Sequence, residues 1–98
     1  MVERYVFVKL HDSHLARRDE LAALSLERLA RVPGVRGVTA SQPADPASAG
    51  SWDLCLRIAF DDMAAVEAYV PHPLHRAFLQ EVLEPATSFK KAWNFQPL

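Results

Sequence analysis

Apolar and polar residues alternate with a period of two in four segments of the chain, a pattern typical of β-strands that bury one face. The clearest case is residues 52–60, where every second residue from Leu54 to Phe60 is large and apolar. The other segments are rich in aromatic and β-branched residues, which favour strands, although the second is weaker than the rest. The four predicted strands span residues 4–11, 35–42, 52–60 and 88–96.

Apolar residues recur at helical spacing in two further regions. The first is residues 18–32, where leucines form one face and Pro33-Gly34 ends the helix. The second begins at Asp61 or Asp62, whose carboxylate suits the free backbone N–H groups at a helix start, and it is interrupted by prolines. Its two predicted parts run from there to Tyr69 and over residues 73–83, and residues 43–51 are predicted to form a small-residue loop.

The predicted elements follow one another in the order β-α-β-β-α-β. Right-handed crossovers then place both helical regions on one face of a four-stranded antiparallel sheet, which is the ferredoxin-like arrangement. A chain of 98 residues has room for one domain, which we expect to span residues 1–98. The sequence therefore predicts an α+β fold with one sheet face left open by the helices.

The open face is predicted to be apolar whichever way the first strand is turned. Val6, Val8 and Leu10 form one side of that strand, and Tyr5 and Phe7 belong to the other. Large apolar patches are rare on soluble monomers. Pairing the patch with its own copy around a two-fold axis covers both at once. We therefore expect a homodimer that forms through the exposed sheet face.

Composition and charge exclude some classes of function. The net charge is −1 and no segment collects basic residues, so a surface for binding nucleic acid is not expected. The apolar runs are too short to span a bilayer and the N-terminus enters a strand without a signal-peptide core, so no membrane partner is expected. Cys55 is the only cysteine, which excludes an internal disulfide and fits a cytoplasmic protein.

Residues that could carry chemistry cluster at the proline break of the second helical region. Tyr69, His72 and His75 lie close together there; a histidine exchanges protons near neutral pH, and a tyrosine can donate a hydrogen bond to a carbonyl oxygen. His75 would point towards the sheet, where it either lines a cavity or is a core histidine with a hydrogen-bonding partner. The ligand contacts predicted for such a cavity are Val6, Val8, Leu56, His72 and Phe78.

Metal and cofactor sites are not predicted. His72-x-x-His75 and His11-x-x-His14 have a spacing that suits a metal, but neither pair is accompanied by the third or fourth ligand that zinc sites use. The chain has three glycines and no phosphate-binding loop. We therefore expect neither a metal nor a cofactor.

Residues 60–78, with Tyr69 followed by His72-Pro73-Leu74-His75, resemble the signature of the stress-responsive dimeric α/β-barrel (Dabb) family. The resemblance extends over nearly the whole chain, including the first, third and last predicted strands. It implies a ferredoxin-like subunit whose sheet packs on that of its partner to form a dimeric α/β barrel. Most members of the family have no assigned reaction.

One member of that family, a plant polyketide cyclase, closes a linear polyketide by an intramolecular aldol reaction. The resemblance carries its catalytic pair onto His75, as the base beside a carbonyl, and onto Tyr69, which would position or polarise that carbonyl. Such a base contributes about 10²–10⁴ in rate. The further pocket histidines of the cyclase fall on Arg4 and Leu54 here, so the sequence departs from the cyclase at both positions.

Three functions fit these observations. The first is a dimeric protein of the stress-response type that binds a small hydrophobic or aromatic molecule and has no assigned reaction. The second is a polyketide-cyclase-like enzyme that uses His75 and Tyr69. The third is a cofactor-independent monooxygenase, a class of protein that shares the dimeric barrel.

Overall fold

The computed structural model describes residues 1–98 and contains a four-stranded antiparallel sheet. The strands are β1 (Val2–Leu10), β2 (Gly37–Ser41), β3 (Leu54–Phe60) and β4 (Thr87–Phe95). Their order across the sheet is β2-β3-β1-β4, so β1 is hydrogen-bonded along both of its edges. This order and the antiparallel pairing are those of the ferredoxin-like fold predicted from the sequence.

Helical segments fill the connections between the strands. The main ones are α1 (Arg18–Leu29), α2 (Pro46–Ser51), α3 (Met63–Tyr69) and α4 (Pro73–Phe78). The shorter ones are a 3₁₀ helix (Asp12–Arg17), a π-helical turn that continues α4 (Leu79–Leu83) and a 3₁₀ turn (Glu84–Ala86). None of the helices combines the length and the apolar content that crossing a membrane requires.

The hydrophobic core lies between the helices and one face of the sheet. The apolar side of β3, from Leu54 to Phe60 at every second residue, is at most 2% exposed. Leu21 and Leu29 of α1 and Phe78 of α4 pack against it in the same cluster. The period-two alternation in β3 therefore predicts correctly which of its side chains face the core.

Residues 46–51 form α2, within the segment 43–51 whose composition predicts a loop. Asp45 precedes the helix, and its carboxylate accepts a hydrogen bond from the backbone N–H of Ser48 at 2.7 Å. Pro46 occupies the first helical position, where a backbone N–H would have no partner within the helix, so its absence costs no hydrogen bond. The loop prediction is therefore wrong at this helix, because these two capping signals outweigh the run of small residues.

β3 begins at Leu54, two residues later than predicted, because Asp53 is used in another way. The buried carboxylate of Asp53 accepts a hydrogen bond from the backbone N–H of Leu10 at 2.8 Å. Lys9 lies 3.5 Å from the same carboxylate and partly neutralises its charge. Asp53 thus ties the start of β3 to the end of β1.

The sheet face opposite the helices is rich in aromatic side chains. Phe89, Trp93 and Phe95 of β4 remain 53%, 55% and 61% exposed. Trp52 stacks on Phe89 with ring centroids 5.8 Å apart and also contacts Phe7. We call this surface the aromatic face, and its members are Tyr5, Phe7, Trp52, Phe89, Trp93 and Phe95.

Polar residues occupy the neighbouring part of the same face. Arg57 of β3 donates a hydrogen bond to the carboxylate of Glu3 on β1, so these two charges balance each other. Cys55 lies beside them as a half-buried free thiol. Burial raises the pKa of Cys55, which keeps it protonated and unreactive at neutral pH.

Candidate functional site

The break between α3 and α4 is built by prolines and by a histidine cap. The backbone N–H of His72 donates to the carbonyl of Tyr69 at 3.0 Å, which closes the end of α3. The ring of His72 accepts a hydrogen bond from the N–H of Leu74 at 3.1 Å and so begins α4, with Pro73 at its first position. This tight turn brings Tyr69 and His75, which belong to different helices, side by side.

The rings of Tyr69 and His75 are in direct contact inside the protein. Their centroids are 4.2 Å apart and their planes are inclined by 32°. On its other side Tyr69 meets Phe60 of β3 edge-on, at a centroid distance of 4.9 Å. Tyr69 is 1% exposed and His75 is 7% exposed. The orientation of the imidazole is therefore fixed by packing and not by chance contacts at the surface.

A backbone hydrogen bond determines where His75 carries its proton. Its Nδ1 lies 2.9 Å from the carbonyl oxygen of Val70, and a carbonyl only accepts, so Nδ1 is the protonated nitrogen. Nε2 then keeps a free lone pair. Burial lowers the pKa of His75, the Val70 carbonyl opposes this, and the positive charges of Arg4 and Lys90 lower it further. His75 is therefore a neutral imidazole with its basic nitrogen unprotonated at pH 7.

Tyr69 is held in its neutral form. Burial raises the pKa of Tyr69 well above its ordinary value, and the nearby charge of Arg4 offsets only part of this effect. A neutral phenol donates a hydrogen bond but does not act as a base near pH 7. Tyr69 can thus support or orient a group, whereas proton removal falls to His75.

A cavity of about 170 Å³ lies beside His75, between the sheet and α4. β1 and β4 are directly paired at this point, with Val6 opposite Ala92. The residues that line the cavity are Arg4, Val6, Val70, His75, Leu79, Lys90 and Ala92. Four of these are apolar, two are cationic and none is acidic. The cavity therefore combines an apolar wall with a positively charged rim and one neutral imidazole.

Arg4 lines the cavity from β1, a strand that is paired along both of its edges. Its Nη1 donates a hydrogen bond to the amide oxygen of Asn94 at 3.0 Å, across the β1–β4 pair. An amide partner orients the guanidinium without neutralising its charge. Elsewhere in the chain, no cluster of three or more His, Cys, Asp or Glu side chains is placed to hold a metal ion.

Residues 2–90 match the family model of the stress responsive A/B barrel domain, Dabb. The chain belongs to this family. A Dabb family protein of ferredoxin-like fold from Mesorhizobium loti aligns with a TM-score of 0.83 and 22% identity, covering 99% of this chain and 96% of that one. No curated protein shows significant sequence similarity to the chain.

Two further solved structures share the fold of this Dabb domain. A dimeric ferredoxin-like protein of unknown function from Thermobifida fusca aligns with a TM-score of 0.79 and 18% identity, covering 98% of this chain and 90% of that one. A candidate antibiotic biosynthesis monooxygenase from Nitrosomonas europaea aligns with a TM-score of 0.73 and 16% identity, covering 100% and 99%. At these identities the likeness establishes the fold alone.

The Dabb domain brings only some of the sequence-predicted site residues to the cavity. His75 and Val6 line it. Val8, Leu56 and Phe78 are at most 1% exposed and belong to the packed core behind it. Tyr69 touches the ring of His75 without lining the cavity, and His72 caps α4 outside it.

The Dabb domain also places residues at the cavity that the sequence reasoning missed. Lys90 and Ala92 of β4, Leu79 after α4, and Val70 in the break complete the wall. A signal for one further residue was present in the sequence: Arg4 interrupts the apolar side of β1 that Val2, Val6 and Val8 form. A charged residue on the core-facing side of a strand needs a partner or a cavity.

Proposed function

We propose that this Dabb domain binds a small hydrophobic or aromatic carbonyl compound in the cavity beside His75. The observation that carries this proposal is the hydrogen bond from His75 Nδ1 to the Val70 carbonyl. Because that bond occupies Nδ1, the Nε2 lone pair is the one that can face a proton of the ligand, such as a C–H next to its carbonyl. The apolar lining residues Val6, Leu79 and Ala92 would hold the body of the molecule.

The volume of the cavity limits the size of the ligand. An apolar cavity of about 150 Å³ is known to hold one benzene molecule, and the cavity beside His75 measures about 170 Å³. A single ring with a short carbonyl substituent therefore fits within the chain itself. A longer substituent would extend along the β1–β4 pair towards solvent.

The proposed assembly is a homodimer that forms through the aromatic face. That face leaves large rings such as Trp93 more than half exposed, which is unusual for a soluble monomer. The Thermobifida fusca relative of the same fold is described as dimeric. Burial of about 800 Å² per partner, typical of stable complexes, would cover these rings, and the ligand cavity lies on the opposite side of the sheet.

A second function, proton abstraction from carbon, is favoured by the protonation state of His75. In this reaction Nε2 takes a proton from the carbon next to the ligand carbonyl, and the electron pair of the broken C–H bond forms an enolate. An aldol closure follows when that enolate carbon attacks a second carbonyl of the same molecule. The π pair of that carbonyl becomes an alkoxide, which takes the proton back from His75 Nε2. Tyr69 assists by holding the imidazole through their 4.2 Å ring contact.

Acetophenone in D₂O tests both functions, because it has one ring, one carbonyl and methyl protons that exchange only when a base removes them. We expect binding to shift the NMR signals of Val6, Leu79 and Ala92. We also expect methyl exchange to be about 10²–10⁴ faster than in buffer. His75→Phe, which keeps a flat ring against Tyr69, is expected to abolish the acceleration. His11→Phe, a change of an exposed histidine outside the cavity, is the matched control.

The outcomes separate the alternatives. Shifts at the cavity without faster exchange would leave a binding protein with no reaction of this type, whereas the absence of shifts at any accessible concentration would contradict the ligand site itself. The monooxygenase alternative is supported by the shared fold, but no feature of the cavity favours it. The cytoplasmic location inferred from the lone Cys55 stays a prediction.

A further inference from the structure

The positive charges of this protein are distributed unevenly between paired and unpaired groups. Of its 11 lysine and arginine side chains, seven form a salt bridge with a carboxylate. The side chains without such a partner are Arg4, Arg76, Lys90 and Lys91. Two of these four, Arg4 and Lys90, line the cavity beside His75.

These two cations reach the cavity from neighbouring strands. Arg4 belongs to β1 and Lys90 to β4, and they flank the Val6–Ala92 pair in the register of the two strands. No acidic residue lines the cavity. Both charges act on the imidazole of His75, which lies between sheet and helix. The one polar partner of Arg4, the amide of Asn94, leaves its charge uncompensated.

Two like charges at the rim of one small cavity repel each other, and Arg4 is in addition partly buried. A carboxylate partner would remove the cost, and the chain supplies carboxylates to seven other cations but none here. A planar guanidinium is also well suited to hold a carboxylate through two parallel hydrogen bonds. The cavity beside His75 is thus lined by two cations that have no carboxylate partner within the chain.

We infer that the cavity is selective for a small aromatic or hydrophobic acid whose carboxylate is bound by Arg4 and Lys90, with the apolar body against Val6, Leu79 and Ala92. This inference rests on the proposed ligand site and adds to it the charge of the ligand. A β-keto or aryl carboxylate satisfies both the apolar wall and the cationic rim. In a complex with a β-keto carboxylate, His75 Nε2 faces the acidic carbon between the ketone and the carboxylate.

Benzoate and benzyl alcohol form the matched pair of probes, because they have the same ring and differ in the charge of the substituent. We expect benzoate to bind roughly tenfold more tightly at low salt, since a hydrogen bond to a charged group adds about this factor. The preference should shrink as the ionic strength rises, because exposed charges are screened. Affinities are measured by NMR titration of the full chain, following Val6, Leu79 and Ala92.

Three variants assign the preference to the two cations. Arg4→Met and Lys90→Met should each reduce it, and the double variant should bind benzoate and benzyl alcohol equally. Arg76→Met removes an unpaired cation that does not line this cavity, and it should keep the preference of the unmodified chain. Circular dichroism verifies that each variant is folded before titration.

The results distinguish this inference from the proposal on which it rests. Equal affinity for the two probes in the unmodified chain, with shifts confined to the cavity, overturns the acid selectivity and leaves the ligand site standing. A preference for benzoate that survives the double variant overturns the role of Arg4 and Lys90. If neither probe shifts the cavity residues, both the selectivity and the proposed ligand site fail together.

Discussion

His75 shows how a single hydrogen bond decides the chemistry of a residue. Histidines at a protein surface titrate close to neutral pH and carry no fixed tautomer. Here the carbonyl of Val70 holds the proton on Nδ1, while burial and two neighbouring cations disfavour a second proton. The result is a base whose direction and protonation are both set before any ligand arrives.

The same burial predicts a pH dependence of stability. The pKa of His75 is lower in the folded protein than its ordinary value of 6.5, so the unfolded chain takes up the proton first as the pH falls. The contribution of neutral His75 to the free energy of unfolding is therefore fully present above pH 6.5. It is lost as the pH falls from 6.5 through the pKa that His75 has in the folded protein. We expect the free energy of unfolding, measured with urea, to decrease between pH 7 and pH 5.

His75→Phe is the variant that checks this origin. It removes the titrating group, so its unfolding free energy should change less over the same pH range than that of the unmodified chain. His11→Phe introduces the same ring at an exposed histidine and is the matched control. If His75→Phe and the unmodified chain lose stability in parallel, the acid sensitivity arises from other groups.

At this scale the sequence could point to His75 and Val6, but not to the full wall of the cavity. The helical spacing turns His75 towards the sheet, and the alternation in β1 places Val6 beneath it. Val8 and Leu56 have the same pattern, yet they are packed solid. The distance between α4 and the sheet decides which side chains of this face border the cavity. That distance depends on tertiary packing and cannot be read from the pattern of one segment.

Among the elements, the two halves of the second helical region depend on side-chain caps. α3 begins at Asp62, whose carboxylate accepts a hydrogen bond from the N–H of Ala65 at 2.9 Å. The sequence left Asp61 and Asp62 open as alternatives. Asp61 forms an ion pair with Arg36 instead. Because α3 is only 7 residues long, the cap at its first turn affects the position of Tyr69 in its last turn.

Asp62→Ala should therefore destabilise the protein by about 1 kcal/mol, the usual cost of losing a helix N-cap. The loss is measured as a lower urea midpoint with an unchanged slope. Glu67→Ala on the same helix removes an exposed carboxylate that has no salt bridge, and it should have an effect of less than about 0.5 kcal/mol. Equal effects of the two changes would show that the cap contributes nothing.

Element prediction succeeded where periodicity or proline gave a strong local signal. The break between α3 and α4 follows from Pro71 and Pro73, and the strands follow from alternation. It failed for α2 and for the 3₁₀ helix Asp12–Arg17, which are too short for a repeating pattern. The late start of β3 was equally hidden, because it depends on Asp53 bonding to Leu10, a residue 43 positions away in the chain.

For the molecule as a whole, the aromatic face is the surface through which two copies are proposed to meet. Trp93→Arg replaces a half-exposed ring by a charge on that face, and it should weaken self-association by about 30-fold or more, since buried tryptophans dominate interfaces. Leu26→Arg, at an exposed position of α1, is the matched control and should leave the molar mass unchanged.

Light scattering at several concentrations measures both variants. A folded, unmodified chain that remains monomeric at micromolar concentration would contradict the dimer. So would a Trp93→Arg variant that associates as strongly as the unmodified chain. The ligand experiments do not depend on this result, because the cavity residues and the aromatic face belong to opposite sides of the sheet.

The overall architecture was the most predictable level of this protein. The order β-α-β-β-α-β is compatible with few topologies. Both sides of β1 are apolar, which indicates that one layer of helices cannot cover all the apolar surface of the sheet. The charge at the cavity was less visible, since Arg4 and Lys90 are 86 positions apart in the chain and meet only through the β1–β4 register.

Both tryptophans of the chain, Trp52 and Trp93, belong to the aromatic face. The tryptophan fluorescence of the protein therefore originates from the surface where copies are proposed to pair. Indole emission shifts to longer wavelength when water reaches the ring. The wavelength of maximum emission, measured as the protein is diluted, would then report the separation of the subunits without any label.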